Sequence, residues 1–139
     1  MDTQGYLETT TMRSIMGIPT AQLDAVMATA FQLYQAGRYQ EVEILCRGLI
    51  AADHLYWWAY SLYGATLHRL GCHEEALAQV DRGLVFEPGQ PKLLLLRGRI
   101  LAALGRTDEA RADLIPLART GRPADQAAAA RELAQMEAA

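Results

Sequence analysis

His68, Cys72 and His73 are the residues whose types and spacing come nearest to metal chemistry, because the first two stand one helical turn apart. A structural zinc needs four ligands, and the sequence supplies no fourth partner nearby, so no metal is expected. The paired carboxylates, Glu74-Glu75 and Asp108-Glu109, fall where second helices of a repeat would begin, and there acidic side chains complement the helix dipole. The chain has no glycine-rich phosphate loop and no nucleophile beside a plausible base. It is therefore expected to be no enzyme and to carry no cofactor. Trp57 and Trp58 offer stacking surfaces of the kind that hold single-stranded nucleic acid. However, residues 1–91 carry 5 basic and 10 acidic side chains, so a nucleic-acid partner is not expected. What remains is binding of another protein.

The elements that would position such a surface follow from an internal repeat. YQAGRYQEVEIL from Tyr34, HRLGCHEEALAQ from His68 and AALGRTDEARAD from Ala102 align, and their glycines, Gly37, Gly71 and Gly105, lie 34 residues apart. The same interval links Ala30, Gly64 and Gly98, and also Val42, Ala76 and Ala110. Within the second repeat, Tyr60, Tyr63, Gly64 and Leu67 fall on one helical stripe. Gly71 allows the left-handed backbone that closes a helix. Ala76, Val80 and Leu84 then face inward from a second helix, and Pro88 ends the pair. Gly64 and Ala76 are small because the paired helices approach closely there.

The chain, 139 residues with 51% hydrophobic side chains, is long enough for one such domain. Repeats are placed at 23–56, 57–90 and 91–124, with 125–139 as a capping helix whose stripe is Ala130, Leu133 and Ala134. Arg97 replaces an apolar residue in the third repeat, and Pro116 predicts a kink or restart in its second helix. Residues 1–22 show no period; they are expected to be disordered or to form a short helix around Met12 to Met16 at a contact between two copies of the chain. The first twenty residues lack the basic start and apolar run of a signal peptide. No apolar run is long enough to span a bilayer. The two cysteines, Cys46 and Cys72, have no framework spacing. A reduced, cytoplasmic protein without stable membrane insertion is the expectation.

The first helix of the first repeat carries two apolar faces. Val26, Thr29, Ala30 and Leu33 form the packing stripe, and Met27, Phe31 and Tyr34 centre roughly 120 to 140° away. The neighbouring helix accounts for the first face; the second requires a ligand, a second subunit or the N-terminal segment.

These residues resemble the tetratricopeptide family, with Tyr60, Tyr63, Gly64, Leu67, Ala76, Val80 and Pro88 following its pattern most closely. The resemblance implies an all-α fold of three tandem helix-turn-helix repeats in a right-handed solenoid with a C-terminal capping helix. It also implies that the second face of each first helix lines a concave peptide-binding groove. Met27, Phe31, Tyr34, Trp58 and Ala65 would then supply apolar anchorage, followed by Arg69, Lys92, Leu95 and Arg99, whose cations suit an acidic flank. The family's carboxylate-clamp class uses lysine, asparagine and arginine where this chain has Met27, Phe31, Leu62, Lys92 and Leu96, so that function is not expected.

A narrower resemblance lies in Tyr34-Gln35-Ala36-Gly37-Arg38-Tyr39, in Asp53-His54, and in the run from Tyr56 to Ala65. These are similar to the class II chaperones of bacterial type III secretion, which hold hydrophobic translocator subunits until export. The implied partner is a client protein with apolar anchors, a hydrophobic secreted protein, and the chain is expected also to form a homodimer. The alternative is a general scaffold or assembly subunit in a stable complex.

Overall fold

The computed structural model describes residues 10–138. Expectations that fall on residues 1–9 lie outside the described residues. The described residues form α1 (Met12–Met16), α2 (Thr20–Gln35), α3 (Tyr39–Ala52), α4 (Trp57–Arg69), α5 (His73–Phe86), α6 (Pro91–Ala103), α7 (Thr107–Thr120) and α8 (Pro123–Ala138), with no strand among them. The helices α2 and α3, α4 and α5, and α6 and α7 pack as pairs. The pairs stack in chain order, and α8 closes the stack on α7 and α6. No helix of the described residues is long and apolar enough to cross a membrane.

Each pair turns in the same way. Gly37, Gly71 and Gly105 adopt φ of 78°, 80° and 75°, a region open to glycine and strained for side chains with a Cβ. The next residue, Arg38, Cys72 or Arg106, donates its N–H to the carbonyl of Leu33, Leu67 or Leu101 at 2.9 Å, which satisfies a carbonyl left open at the helix end. The 34-residue columns are also the core: Ala30, Val42 and Cys46, then Ala76 and Val80, then Ala110 and Leu114 are all fully buried. Burial pushes the Cys46 thiol up to about 12, which leaves it protonated and unreactive.

The small residues of the first helices are set by contact. A Cβ on Gly64 would lie 2.6 Å from Val80 Cγ2, and one on Gly98 would lie 2.7 Å from both Cγ and Cδ2 of Leu114. Leu114 has no room to withdraw, so Gly98→Val is expected to cost about 1–3 kcal/mol through overpacking. The measurement is a lowered urea midpoint at unchanged slope. An unchanged midpoint would mean that the α6–α7 crossing can open.

Several expectations are corrected. In α2 the inward residues are Leu23, Met27, Ala30 and Leu33, whereas Val26 and Thr29 are exposed. Val26 stands one period before Tyr60, and the smaller side chain leaves an apolar depression of about 270 Å³ among Ile18, Val26, Leu45, Gly48 and Leu49. In α8 the inward stripe is Ala129, Leu133 and Met136, with Ala130 and Ala134 exposed. An alanine-rich helix has nearly the same side chain on every face, so periodicity does not fix its phase. Pro116 does not break the helix, since α7 is continuous from Thr107 to Thr120.

Arg97 departs from the repeat pattern because it is matched by carboxylates. Its Nε and Nη2 donate to the two oxygens of Asp113 at 2.7 Å each, and Nη1 donates to Asp81 at 3.1 Å. At the other end of the molecule, Arg13 of α1 donates to buried Asp53 at 2.8 Å and to the Ile18 carbonyl at 3.1 Å. Asp53 also accepts the Leu55 N–H at 3.0 Å, so this acidic residue fixes the junction of α3 and α4 and holds α1 against it.

Candidate peptide-binding groove

The first helices of the repeats, α2, α4 and α6, run side by side, and their shared face holds two cavities. The N-terminal one, of about 420 Å³, is lined by Asp24, Met27, Ala28 and Phe31 of α2, by Tyr56 and Trp58 at the start of α4, and by Lys92 at the start of α6. Phe31 is 48% exposed and Trp58 40%, although both are large and apolar. Trp58 is held by a stacked contact with Trp57, centroids 4.0 Å apart, and Lys92 Nζ lies 5.8 Å from its ring, within cation–π range. Tyr56 donates its hydroxyl to Asp24 at 2.6 Å, tying α2 to the start of α4. Burial and then the Asp24 hydrogen bond push the Tyr56 phenol up, so it stays protonated and keeps donating.

The wall continues through Phe31 stacked on Tyr34 at 6.4 Å. The Tyr34 hydroxyl accepts from Arg69 Nε at 3.2 Å. Ala65, half-buried, packs on the core beside this wall.

The second cavity, of about 480 Å³, lies at the opposite ends of α4 and α6 and is completed by α8. Its lining includes His68, Arg99, Thr107, Glu132, Gln135 and Met136. Arg99 Nε donates to Glu132 at 2.6 Å. His68 and His73 share one hydrogen bond between their Nδ1 atoms at 2.9 Å, so one of these nitrogens carries a proton and the other does not. The His68 imidazole is pushed down by burial, then by His73, Arg69 and Arg99, against a smaller opposing effect of Glu132, and is uncharged at neutral pH. Among the described residues no group of three or more His, Cys, Asp or Glu side chains is arranged to hold a metal.

The structure thus brings Met27, Phe31, Trp58 and Lys92 around one cavity and joins Tyr34 to Arg69 beside it. Arg99 stands apart at the second cavity. Met27 is half-buried and also packs against the core. Leu95 differs more from the expectation: it packs with Leu114, Leu117 and Ala129 under the closing helix, because α8 covers that side of α6. Sequence reasoning missed Asp24, Tyr56, Glu132 and Gln135. Asp24 was within reach, since it lies one 34-residue period before Trp58 and two before Lys92. Nothing in the repeat signals the residues of α8.

No known protein-family profile and no curated protein sequence matches the chain. Solved structures do match. The type III secretion translocator chaperone SycD of Yersinia enterocolitica is 21% identical with a TM-score of 0.83, over 94% of this chain and 98% of that one. The same protein in an alternative dimer gives 22% identity and 0.77, over 87% and 93%. PcrH of Pseudomonas aeruginosa, in complex with the chaperone binding region of PopD, is 27% identical with a TM-score of 0.76, over 88% and 93%. The fold of this chain is that of the translocator chaperones, which are built on tetratricopeptide-type helix pairs.

Proposed function

We propose that this chain, having the fold of the type III secretion translocator chaperones, is a cytoplasmic holding chaperone that masks an apolar segment of a client protein without catalysing a reaction. The observation that carries the reading is the N-terminal cradle, where Phe31 and Trp58 stay exposed around a preformed cavity of about 420 Å³. Leaving large apolar side chains in water is unfavourable: burying one completely contributes about 1.5–3 kcal/mol, and covering the exposed part of Phe31 or Trp58 contributes about half of that. A client that inserts into membranes carries apolar segments that self-associate in water, and laying one across the cradle removes both liabilities. The exchange needs no energy source. PcrH, a protein of this fold, is seen in complex with the chaperone binding region of PopD, which supports the reading.

In this reading the repeats 23–56, 57–90 and 91–124 carry the groove, and the segment 125–139 ends it. Met27, Phe31, Trp58 and Lys92 seat an apolar anchor. Tyr34, Ala65 and Arg69 continue the wall, and Arg99 marks its far end. A second copy of the chain is the other proposed partner, meeting α1, whose Met12, Ile15 and Met16 are 56%, 69% and 64% exposed.

The test is affinity capture from the native cytosol followed by mass spectrometry. One abundant hydrophobic partner, released intact and recoverable with the chaperone as a soluble complex, is the expected result. Recovery of the chain only with itself, or only within a complex that never dissociates, would move the function to an assembly subunit.

A further inference from the structure

We infer that the second cavity is a carboxylate subsite, in which Arg99 receives an Asp or Glu side chain of the bound client segment. The inference rests on the groove reading above and adds to it what the client must carry beyond its apolar anchor.

Arg99 is the cation prepared for this. Its Nε is held by Glu132 at 2.6 Å, while Nη1 and Nη2 make no hydrogen bond among the described residues, so the end-on edge of the guanidinium remains open. That edge presents two parallel N–H donors, the geometry that grips a carboxylate. Glu132 is itself largely covered and acts as a positioning residue, fixing the plane of the guanidinium through the nitrogen the ligand does not need. Gln135 lines the same cavity and adds an amide donor.

The other groove cations are less suited. Lys92 lies over the Trp58 ring and offers a point charge in place of a two-donor edge. Arg69 spends its Nε on the Tyr34 hydroxyl and does not line the cavity. Position fixes the spacing in the client. Trp58 and His68 are ten residues apart on α4, or about 15 Å at the helical rise. An extended segment therefore needs its acid about five or more residues along from its apolar anchor.

The experiment pans a phage-displayed library of random dodecapeptides on the full-length protein and on its Arg99→Gln, Arg99→Lys and Phe31→Ala/Trp58→Ala variants, each verified as folded by circular dichroism. Wild type is expected to select peptides with an apolar anchor and an Asp or Glu about five or more residues away. In a synthetic copy of a selected peptide, changing that acid to its amide is expected to weaken binding at least about tenfold, as for a lost hydrogen bond to a charged group. Binding to Arg99→Gln should be indifferent to the change. Arg99→Lys, which keeps the charge and loses the fork, should lose most of the preference.

Apolar anchors without an acidic preference, or a preference that survives in Arg99→Gln, would overturn the subsite and leave the groove intact. Peptides that bind the Phe31→Ala/Trp58→Ala variant as well as wild type, or no selected peptides at all, would remove the groove reading beneath it.

Discussion

The double variant Phe31→Ala/Trp58→Ala is expected to lose client binding by at least about 100-fold while remaining folded. Central aromatic anchors typically contribute about 2 kcal/mol or more each, and every 1.4 kcal/mol is a factor of about ten in affinity. The fold should survive because neither side chain belongs to the buried core: Ala30, Leu62, Tyr63 and Leu67 form the interior of α2 and α4, and Phe31 and Trp58 stand outside it. The stability cost comes chiefly from the Trp57–Trp58 stack, and aromatic pairs of this kind contribute about 0.5–1.5 kcal/mol. Tyr63→Ala is the contrasting control. It removes a buried ring, should cost about 3–5 kcal/mol, and should lower client binding only by unfolding the protein. The measurement pairs thermal melts with titration of the captured client. A double variant that binds as wild type sinks the cradle, and one that melts like Tyr63→Ala returns Phe31 and Trp58 to the core.

The repeat made the fold legible because its signals are local and act through backbone geometry. Gly37, Gly71 and Gly105 had to accept a left-handed turn, and Gly64 and Gly98 had to admit Val80 and Leu114, so the period of 34 residues translates directly into stacked helix pairs. What the sequence left hidden lies where the repeat is broken. Val26 sits in a packing column and is nevertheless 38% exposed, because the residue type that fills the slot one repeat later, Tyr60, is absent. Leu95 belongs to a groove-facing column and is half-buried against α7 and α8, because the closing helix docks by a register that its alanines do not encode.

The site followed the same division. Asp24, Trp58 and Lys92 converge because they occupy one column of the repeat, and Phe31 joins them from two turns further along the same face of α2. The second cavity depends on Glu132 and Gln135 of α8, which no column of the repeat contains. Long-range partners of single charged residues are likewise not written in a periodic pattern, as Arg13 with Asp53 and Arg97 with Asp113 both show.

Arg97 is where that limit has its largest consequence for stability. Read from the sequence, an arginine in an apolar column is a defect of the third repeat. In the structure it donates to both oxygens of Asp113, whose side chain is only 9% exposed, and to Asp81 of the preceding repeat. Removing the arginine leaves Asp113 charged and poorly hydrated, and breaking a buried pair from one side costs about 3–5 kcal/mol. The Arg97 side chain is 29% exposed, so water screens part of the effect, and the lower end of that range is expected for Arg97→Ala. Replacing both partners, Arg97→Met with Asp113→Leu, should recover most of the loss, because the apolar pair fills the space and leaves no charge stranded. The cycle is measured by urea unfolding. A double variant as unstable as Arg97→Ala would mean that Arg97 stabilises through Asp81 or its own packing. The position also bears on binding, since Arg97 joins α5, α6 and α7, and α6 presents Lys92 to one cavity and Arg99 to the other. Loosening it should therefore blur both ends of the groove, whereas the Met–Leu pair, which keeps α6 in place, should leave client affinity close to wild type.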